Sequence, residues 1–429
     1  MIMFKDSPKI AVVGLGYVGL PLAIGLAKHF HVTGFDINDS RVGELKKGED
    51  RTNEISKELL ISSTLNLTST MEEIKGYDVF IVTVPTPVTA MNQPDLTPLA
   101  KASETVGKLL VKGSIVVYES TVYPGVTEDY CAPILEKNSG LKCGSEFYLG
   151  YSPERINPGD KEHTVDKITK VVSGQTSDVA QHLAMIYGKM NQGNIFIAKN
   201  IKTAEAAKVI ENAQRDINIA FINEITTIFS KLGLSIYDVL DAASTKWNFL
   251  KFLPGMVGGH CIGVDPYYLA HLSRTLNHEP EVILAGRKIN EAMSHYIASQ
   301  IHEKLQFRQK EKPAKILLLG ITFKENIPDL RNTKVIDLIK NLKSYGHTVF
   351  VHDAYADPQE AHKEYGLTLL PNLAEGGYDC MVGAVAHDVY AQFELEVFKE
   401  LLKEDALVAD VKNIWSAKKL PQGMNYWSL

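Results

Sequence analysis

The sequence predicts an α/β protein built from two doubly wound, mostly parallel sheets joined by a long central helix. Three observations carry that expectation. Short apolar runs open both the N-terminal and the C-terminal parts of the chain, at residues 10–13 and, led by Lys315, at 315–320, as in strands buried on both faces. Each run is followed by a loop, a helix-length segment and a second apolar run. Between these regions, residues 202–232 keep apolar residues at helical spacing (Val209, Ile210, Ala213, Ile217, Phe221, Ile225, Ile228, Phe229) until Gly233 stops the pattern.

Composition narrows the function classes. The 429 residues are 45% hydrophobic and 22% charged, as in ordinary globular proteins. Lys plus Arg number 45 against 51 Asp plus Glu, a formal net charge of −6. That balance argues against a nucleic-acid partner bound through bulk charge but permits a local basic pocket. No apolar run approaches the roughly 18 residues of a spanning helix. Lys5 and Asp6 stand where a signal peptide would place its apolar core. A cytoplasmic protein without a membrane partner is expected. The cysteines at 131, 143, 261 and 380 form no C-x-x-C and no zinc-like cluster, so no metal is expected and most of them should be packing residues.

In the first domain, residues 10–13 run into Gly14, Gly16 and Gly19, then a helical segment at 20–30, then a strand at 32–35 ending in Asp36. This is the dinucleotide-binding order. Gly14 makes the turn, Gly16 admits the pyrophosphate, and Gly19 lets helix and strand approach. The helix N-terminus attracts the phosphates, with Tyr17 and Val18 in the same loop. Asp36 is spaced to bond the ribose hydroxyls and repel a 2′-phosphate, so NAD is favoured over NADP. Arg41 stands where it could meet the adenosine end, or be a solvated helix-start arginine. Further strands at 78–84, 114–119 and 147–151 deliver Thr86, Thr121, Glu154 and Arg155 to carboxyl ends, where open α/β sheets bind ligands.

On the central helix, Lys208, Asn212 and Arg215 fall at i, i+4 and i+7, on one face. A second long helix is expected at about 280–307, and such helices between two α/β domains suit a dimer interface. Between them, Gly255, Gly258 and Gly259 precede Cys261, with Asp265 four residues on. A nucleophilic cysteine needs an accessible thiol, nearby positive charge and a proton-moving group. If this loop faces the Lys208–Asn212 stripe, all three are supplied. After a linker at 311–313, the strands at 315–320, 348–353, 378–384 and 406–410 and a helix at 333–345 make a second nucleotide-binding-like domain without the glycine fingerprint. Lys324 and Arg331 are the basic residues at its carboxyl edge, suited to a diphosphate. NAD on one such domain and a nucleotide-like ligand on the other suggest a nucleotide-linked substrate.

Taken together, these residues resemble the UDP-glucose/GDP-mannose dehydrogenase family over nearly the whole chain. The similarity is carried by Val13-Gly-Leu-Gly-Tyr-Val-Gly-Leu-Pro21, Glu119-Ser-Thr-Val122, Ser152-Pro-Glu154, Lys208 with Asn212, Gly258-Gly-His-Cys261 with Asp265, and Phe323-Lys324 with Arg331. Within the family, Lys246-Trp-Asn-Phe249 and Pro254 to Tyr268 resemble the bacterial UDP-N-acetylglucosamine/UDP-N-acetylgalactosamine 6-dehydrogenases, which serve O-antigen, Vi-type and capsular polysaccharides. Gly263 and Tyr123 depart from the wider pattern in turns beside the site, and bear on sugar choice.

The resemblance implies two Rossmann-like domains, NAD-binding at 1–200 and UDP-binding at 311–429. A helical region at 201–310 would carry the catalytic Lys and Cys and make a homodimer. It also implies a four-electron oxidation of the sugar C6 alcohol, with NAD as hydride acceptor twice and Cys261 carrying a thiohemiacetal and then a thioester. Lys208 and Asn212 would stabilise oxyanions, Asp265 would move protons, and Glu154 and Thr121 would hold water. Arg155, Ile156, Arg215, Lys246, Phe252, Gly255, Gly258 and Lys324 would line the sugar nucleotide, and Arg331 would reach NAD. UDP-glucose and UDP-N-acetylmannosamine remain alternative substrates. A one-step hydroxyacid dehydrogenase of the 6-phosphogluconate type has no use for Cys261 or the second sheet domain. A catalytically silent sugar-nucleotide sensor would not need Lys208, Asn212, Cys261 and Asp265 together.

Overall fold

The computed structural model describes residues 4–89, 91–155, 166–259, 261–309, 313–373, 375–415, 420–421 and 423–429. The chain divides into two compact units, one of residues 1–211 with 267–278 and one of 212–266 with 279–429.

The first unit holds an eight-stranded sheet of β1 (Lys9–Val13), β2 (His31–Phe35), β3 (Asn66–Thr68), β4 (Val79–Val82), β5 (Ile115–Tyr118), β6 (Tyr148–Tyr151), β7 (Lys170–Gly174) and β8 (Ile195–Ile197). Their spatial order is β3-β2-β1-β4-β5-β6-β7-β8. Every neighbouring pair is parallel except β6 with β7. The order reverses between β1 and β4, which opens a crevice at the carboxyl ends. Apolar runs suit this sheet because alternate residues serve opposite faces. Ile10, Val12, Val79, Ile81, Ile115 and Val117 pack into one core cluster, while Ala11, Val13, Phe80, Val82, Val116 and Tyr118 pack into another.

The second unit repeats the scheme with β9 (Lys315–Leu319), β10 (Thr348–His352), β11 (Tyr378–Gly383), β12 (Leu402–Asp410) and β13 (Asn425–Ser428), all parallel in the order β10-β9-β11-β12-β13. Leu317, Leu319, Met381 and Val408 serve one face of it, and Ile316, Leu318, Val382 and Ala409 the other. The first face is closed by an aromatic stack in which the Trp415 ring, fully buried, lies edge-on to Phe398 at 5.4 Å.

The expected long helices form at Ile201–Ser230 and Glu281–Gln309. In the second unit they are joined by a buried polar network. Arg287 Nη1 donates to Asp216 Oδ1 at 2.6 Å, and Asn290 Nδ2 donates to the same oxygen at 2.7 Å. No helix among the described residues is long and apolar enough to cross a membrane.

Candidate active site

The turn after β1 is shaped by its glycines. Gly14 adopts φ +99°, a conformation other residues take only with strain. A Cβ at Gly19 would lie 1.9 Å from the Gly14 carbonyl oxygen, so helix and turn can touch only because that residue has no side chain. A Cβ at Gly16 would meet nothing within 4 Å, so the protein itself does not demand glycine there. The helix Gly19–Ala27 begins at Val18 without a side-chain cap, so no side-chain oxygen competes with a ligand for the positive end of its dipole, although Leu20 N–H is already taken by the Gly16 carbonyl at 3.1 Å. Tyr17 is half-buried beside it. Asp36 accepts from Leu15 N at 2.8 Å and Asn38 N at 2.9 Å and stays partly exposed. An exposed glycine, an uncapped helix start and a presented carboxylate fit a dinucleotide diphosphate and its ribose. Arg41 is buried rather than solvated. Its Nε donates to the Leu15 carbonyl at 2.9 Å and its Nη2 pairs with Asp50 at 2.7 Å, fastening the same turn from below.

At the carboxyl ends of β4, β5 and β6 stand Thr86 and Thr121, both half-buried, and Glu154, buried. Ser120 Oγ donates to the Val84 carbonyl at 2.6 Å and thereby ties the Thr121 loop to the next strand end. Beneath Glu154 lies a charge cluster that spacing gave no hint of. Lys170 Nζ, 1% exposed, donates to Glu119 Oε2 at 2.6 Å and stands 3.9 Å from Glu154 Oε2. Tyr187 donates to the other Glu119 oxygen at 2.6 Å. Burial raises the Glu119 carboxyl, with Lys170 opposing. Arg155 forks onto Glu211, and its Nη1 donates to the Thr169 carbonyl. Ile156 lies outside the described residues. Tyr123 packs beside Tyr268 and His271, at ring separations of 6.2 and 5.4 Å.

On the central helix, Lys208 and Asn212 are one turn apart and both buried, whereas Arg215, farther along, is exposed. In the second unit Asn212 Nδ2 donates to Asp265 Oδ2 at 2.5 Å, and Asp265 is also buried. The backbone N–H groups of Val264 and Asp265 both donate to the Cys261 carbonyl, a tight turn that carries the half-buried thiol directly into the Asp265 helix. Burial pushes the Cys131 thiol up to about 12 and raises Cys380 and Cys143 as well, which disfavours the thiolate at all three.

The glycine loop before Cys261 has internal reasons for its glycines. A Cβ at Gly258 would lie 2.8 Å from the Asn332 carbonyl oxygen, and one at Gly259, where φ is +81°, would lie 2.8 Å from the Phe323 ring. These two glycines therefore serve packing within the protein, not only approach to a ligand. Gly255, at φ +146°, is clasped by Asn223, which donates to its carbonyl and accepts from its N–H. Phe252 packs with Ile222, Ile236 and Leu240, while Lys246 is exposed beside Trp247.

A small cavity in the second unit is lined by Met256, Gly258, Phe323, Lys324, Lys334 and Lys412, among others. Lys412 follows β12, and its Nζ lies 3.3 Å from where a Gly255 Cβ would be. Burial lowers its ammonium from the usual lysine range, with Glu325 opposing. Sequence reading passed over Lys412, although its position just past a strand's carboxyl end is the signal that singled out Thr86 and Thr121. Arg331 forks onto Asp329 of its own loop.

The chain matches three consecutive descriptions of one family: UDP-glucose/GDP-mannose dehydrogenase family, NAD binding domain, over residues 8–191; central domain, over 202–292; and UDP binding domain, over 317–417. It is 52% identical to Protein CapL of Staphylococcus aureus over 98% of this chain and 99% of that one. It is 50% identical to the UDP-N-acetyl-D-glucosamine 6-dehydrogenase of Pseudomonas aeruginosa over 96% of this chain and 98% of that one. The solved structure of a UDP-D-ManNAc dehydrogenase from Pyrococcus horikoshii superposes with a TM-score of 0.87 at 30% identity, covering 98% of each chain. With a glycine turn and a partly exposed acid on the first sheet and a lysine-lined cavity in the second unit, the chain belongs to the UDP-glucose/GDP-mannose dehydrogenase family and is an NAD-binding nucleotide-sugar dehydrogenase.

Proposed function

We propose that this protein oxidises the C6 alcohol of a UDP-N-acetylhexosamine, UDP-N-acetylglucosamine or its galacto epimer, to the uronic acid. The observation that carries the reading is the turn in which Asp265 bonds Asn212 at 2.5 Å while its own N–H holds the Cys261 carbonyl. It ties the Asn212 amide to the Asp265 carboxylate and the Cys261 backbone to the start of the same helix, which supports a shared site for the three residues. The Pseudomonas relative at 50% identity, a UDP-N-acetyl-D-glucosamine 6-dehydrogenase, supports the choice of sugar over that of the Pyrococcus protein at 30%.

The residues that would hold NAD are Gly14, Gly16, Gly19, Asp36 and the start of the helix Gly19–Ala27, with Thr86 and Thr121 at neighbouring strand ends. When bound, NAD accepts hydride from the C6 alcohol and, as a second equivalent, from the adduct on Cys261. The Cys261 thiolate adds to the C6 aldehyde to give a thiohemiacetal. Loss of a hydride and of the hydroxyl proton leaves a thioester, and water releases it as carboxylate and thiol. Asn212, oriented through one N–H by Asp265, offers the other to the oxygen anion, and Lys208 supplies the positive charge. Asp265 takes and returns the proton. Glu154 and Thr121 hold the hydrolytic water. The UDP diphosphate rests against Lys324 and Lys412.

The protein acts in the cytoplasm as a homodimer. Support for self-association comes from the second unit, where Phe221, Ile228, Leu250 and Trp247, the last 92% exposed, leave apolar surface uncovered. The product supplies a surface polysaccharide.

The test is NADH released per sugar consumed, with UDP-N-acetylglucosamine and then UDP-N-acetylgalactosamine. Two NADH per sugar are expected, falling to no acid product with Cys261→Ser. One NADH per sugar, or uronate from Cys261→Ser, would remove the covalent role of Cys261. Turnover only with UDP-glucose or UDP-N-acetylmannosamine would keep the family and overturn the sugar.

A further inference from the structure

The second unit contains a fully buried histidine that the mechanism above does not use. His387 follows β11 and is 0% exposed. Its Nδ1 accepts a hydrogen bond from the Asn326 backbone N–H at 2.9 Å. An amide can only donate, so Nδ1 carries no proton and the imidazole is neutral with its proton on Nε2. Nε2 lies 3.1 Å from Thr322 Oγ1 and 3.2 Å from Asp353 Oδ2. Thr322 Oγ1 in turn donates to the Lys324 carbonyl at 2.9 Å, which leaves its lone pairs to receive the His387 proton. Asn326 sits at φ +60°, and its Oδ1 accepts from Asp388 N at 3.0 Å. His387 thus meets one short segment, 322–326, at both of its ends, with Asp353 holding the Thr322 end and Asp388 the Asn326 end. That segment lines the cavity with Thr322, Phe323, Lys324 and Glu325. Phe323 is also the ring against which Gly259 packs, two residues before Cys261.

We infer that His387 is a positioning residue for nucleotide binding: it fastens the 322–326 segment so that Phe323 and Lys324 meet the sugar nucleotide in a fixed geometry. This rests on the reading that the second unit holds the UDP part of the substrate. His387 itself touches no substrate. Its neutral Nε2–H tautomer is the form that can bridge Asn326, Thr322 and Asp353 at once. A leucine of similar bulk would fill the space and let the segment go. Asparagine can keep an acceptor for Asn326 N–H while losing the Nε2 bridge.

The experiment uses the full chain, with UDP itself titrated by calorimetry alongside steady-state kinetics. For His387→Leu, the dissociation constant for UDP and the KM for the sugar nucleotide should each rise about tenfold, the equivalent of about 1.4 kcal/mol. The KM for NAD should stay within twofold, and kcat should fall by less than the sugar KM rises. His387→Asn should recover part of the loss. A purely structural role would instead lower the folded fraction, and so the binding stoichiometry and kcat, with UDP affinity in the folded molecules unchanged. That result would overturn the inference. If His387→Leu does not fold, Thr322→Val removes only the bridging hydroxyl. It should weaken UDP in the same direction by a smaller factor, and unchanged UDP affinity in both Thr322→Val and His387→Asn would overturn the inference equally. Lys324→Met separates the two readings. If it leaves UDP affinity intact, the nucleotide site itself is misplaced and the inference falls with it. If it weakens UDP while the His387 variants do not, only the role of His387 is lost.

Discussion

After β1 the chain turns at Gly14 with φ +99°, and Leu15 N–H donates to Asp36; after β9 it turns at Gly320 with φ +88°, and the N–H groups of Ile321 and Thr322 donate to Asp353. The two sheets thus start the same device, a glycine turn held by the acid that ends the next strand. They complete it differently. Asp36 remains partly exposed, next to an exposed Gly16 and an uncapped helix. Asp353 has a wholly buried side chain, its second oxygen taken by Tyr355 N and Ala356 N and its first also met by His387. A Cβ on Gly320 would strike Val385 at 2.5 Å, whereas one on its counterpart Gly14 would lie 3.3 Å from Thr83 Oγ1. The same backbone geometry is an open cradle, with room for a cofactor, where the chain leaves it uncovered. It becomes a structural knot where the chain fills it with its own side chains.

The sharpest way to break this comparison is to close the open turn. Gly19→Ala drives a methyl into the Gly14 carbonyl at 1.9 Å, which no rotamer can relieve. We expect a loss on the order of 3 kcal/mol in stability from overpacking. NAD affinity should fall at least 100-fold, about 2.7 kcal/mol, while UDP binding in the second unit survives. Gly16→Ala is the control, since the protein has room for that methyl. Its melting temperature should hold, and the KM for NAD should rise about tenfold if the space belongs to the cofactor. Unchanged NAD kinetics in Gly16→Ala would show that the turn is not where the pyrophosphate lies.

The two acids offer the next contrast. Asp353→Asn turns an N–H toward backbone N–H groups in a buried place, at an expected cost of about 2–3 kcal/mol with NAD kinetics untouched. Asp36→Asn should do the reverse, leaving stability nearly unchanged and improving NADP relative to NAD by about tenfold as repulsion of the 2′-phosphate is removed. Equal effects of both variants on cofactor choice would erase the distinction between cradle and knot.

The glycine fingerprint and Asp36 could be read from the sequence because their meaning is local, spaced along one strand, turn and helix. Lys208, Asn212, Cys261 and Asp265 can be singled out for the same reason, as helix-face and loop spacing. The long-range contacts that build the strand ends and loops cannot. Lys170 meets Glu119 across 51 positions, Asn223 meets Gly255 across 32, and His387 meets Thr322 across 65. A lysine, an asparagine or a histidine at those positions looks like any surface residue until tertiary contacts bury it. Gly258 and Gly259 were recognisable as special, but the reason, contact with Asn332 and Phe323 far along the chain, was not. Arg41 is placed beside the expected cofactor by its position in sequence, but its bonds to the Leu15 carbonyl and to Asp50 could not be read there.

Titration separates the units more gently. Burial raises the Glu205 carboxyl to about 7, although it accepts from Gly125 N and Thr127 N. Its folded form therefore holds a proton that the unfolded chain releases near 4.5, and this contribution to stability grows as pH falls from 7 toward 4.5. Asp353 runs the other way. Burial works to raise it, but the His387 bond and the N–H groups of Ile321 and Tyr355 outweigh this and hold it below the usual carboxylate range. Its stabilisation is complete above about pH 4 and is lost as pH falls below that range. Glu205→Gln should flatten the stability profile between pH 5 and 7 by about 2 kcal/mol and leave the acid limb in place. Denaturant midpoints across pH would reveal it, and an unchanged slope between pH 5 and 7 would assign that slope to other groups.

The smallest expected effect comes from Asn326, where backbone and side chain can be told apart. Glycine accepts φ +60° without strain, so Asn326→Gly keeps the turn and the N–H that reaches His387, losing only the bond from Asp388 N. We expect a stability loss of about 0.5–1 kcal/mol and a UDP affinity within about twofold of the original. Asn326→Ala must hold a left-handed conformation as well, so its loss should be larger by about 1 kcal/mol, and it should weaken UDP as the segment shifts. If glycine weakens UDP as much as alanine does, the Asp388 contact rather than the His387 clasp sets the segment, and the second unit's knot would be tied at its rim instead of at its buried histidine.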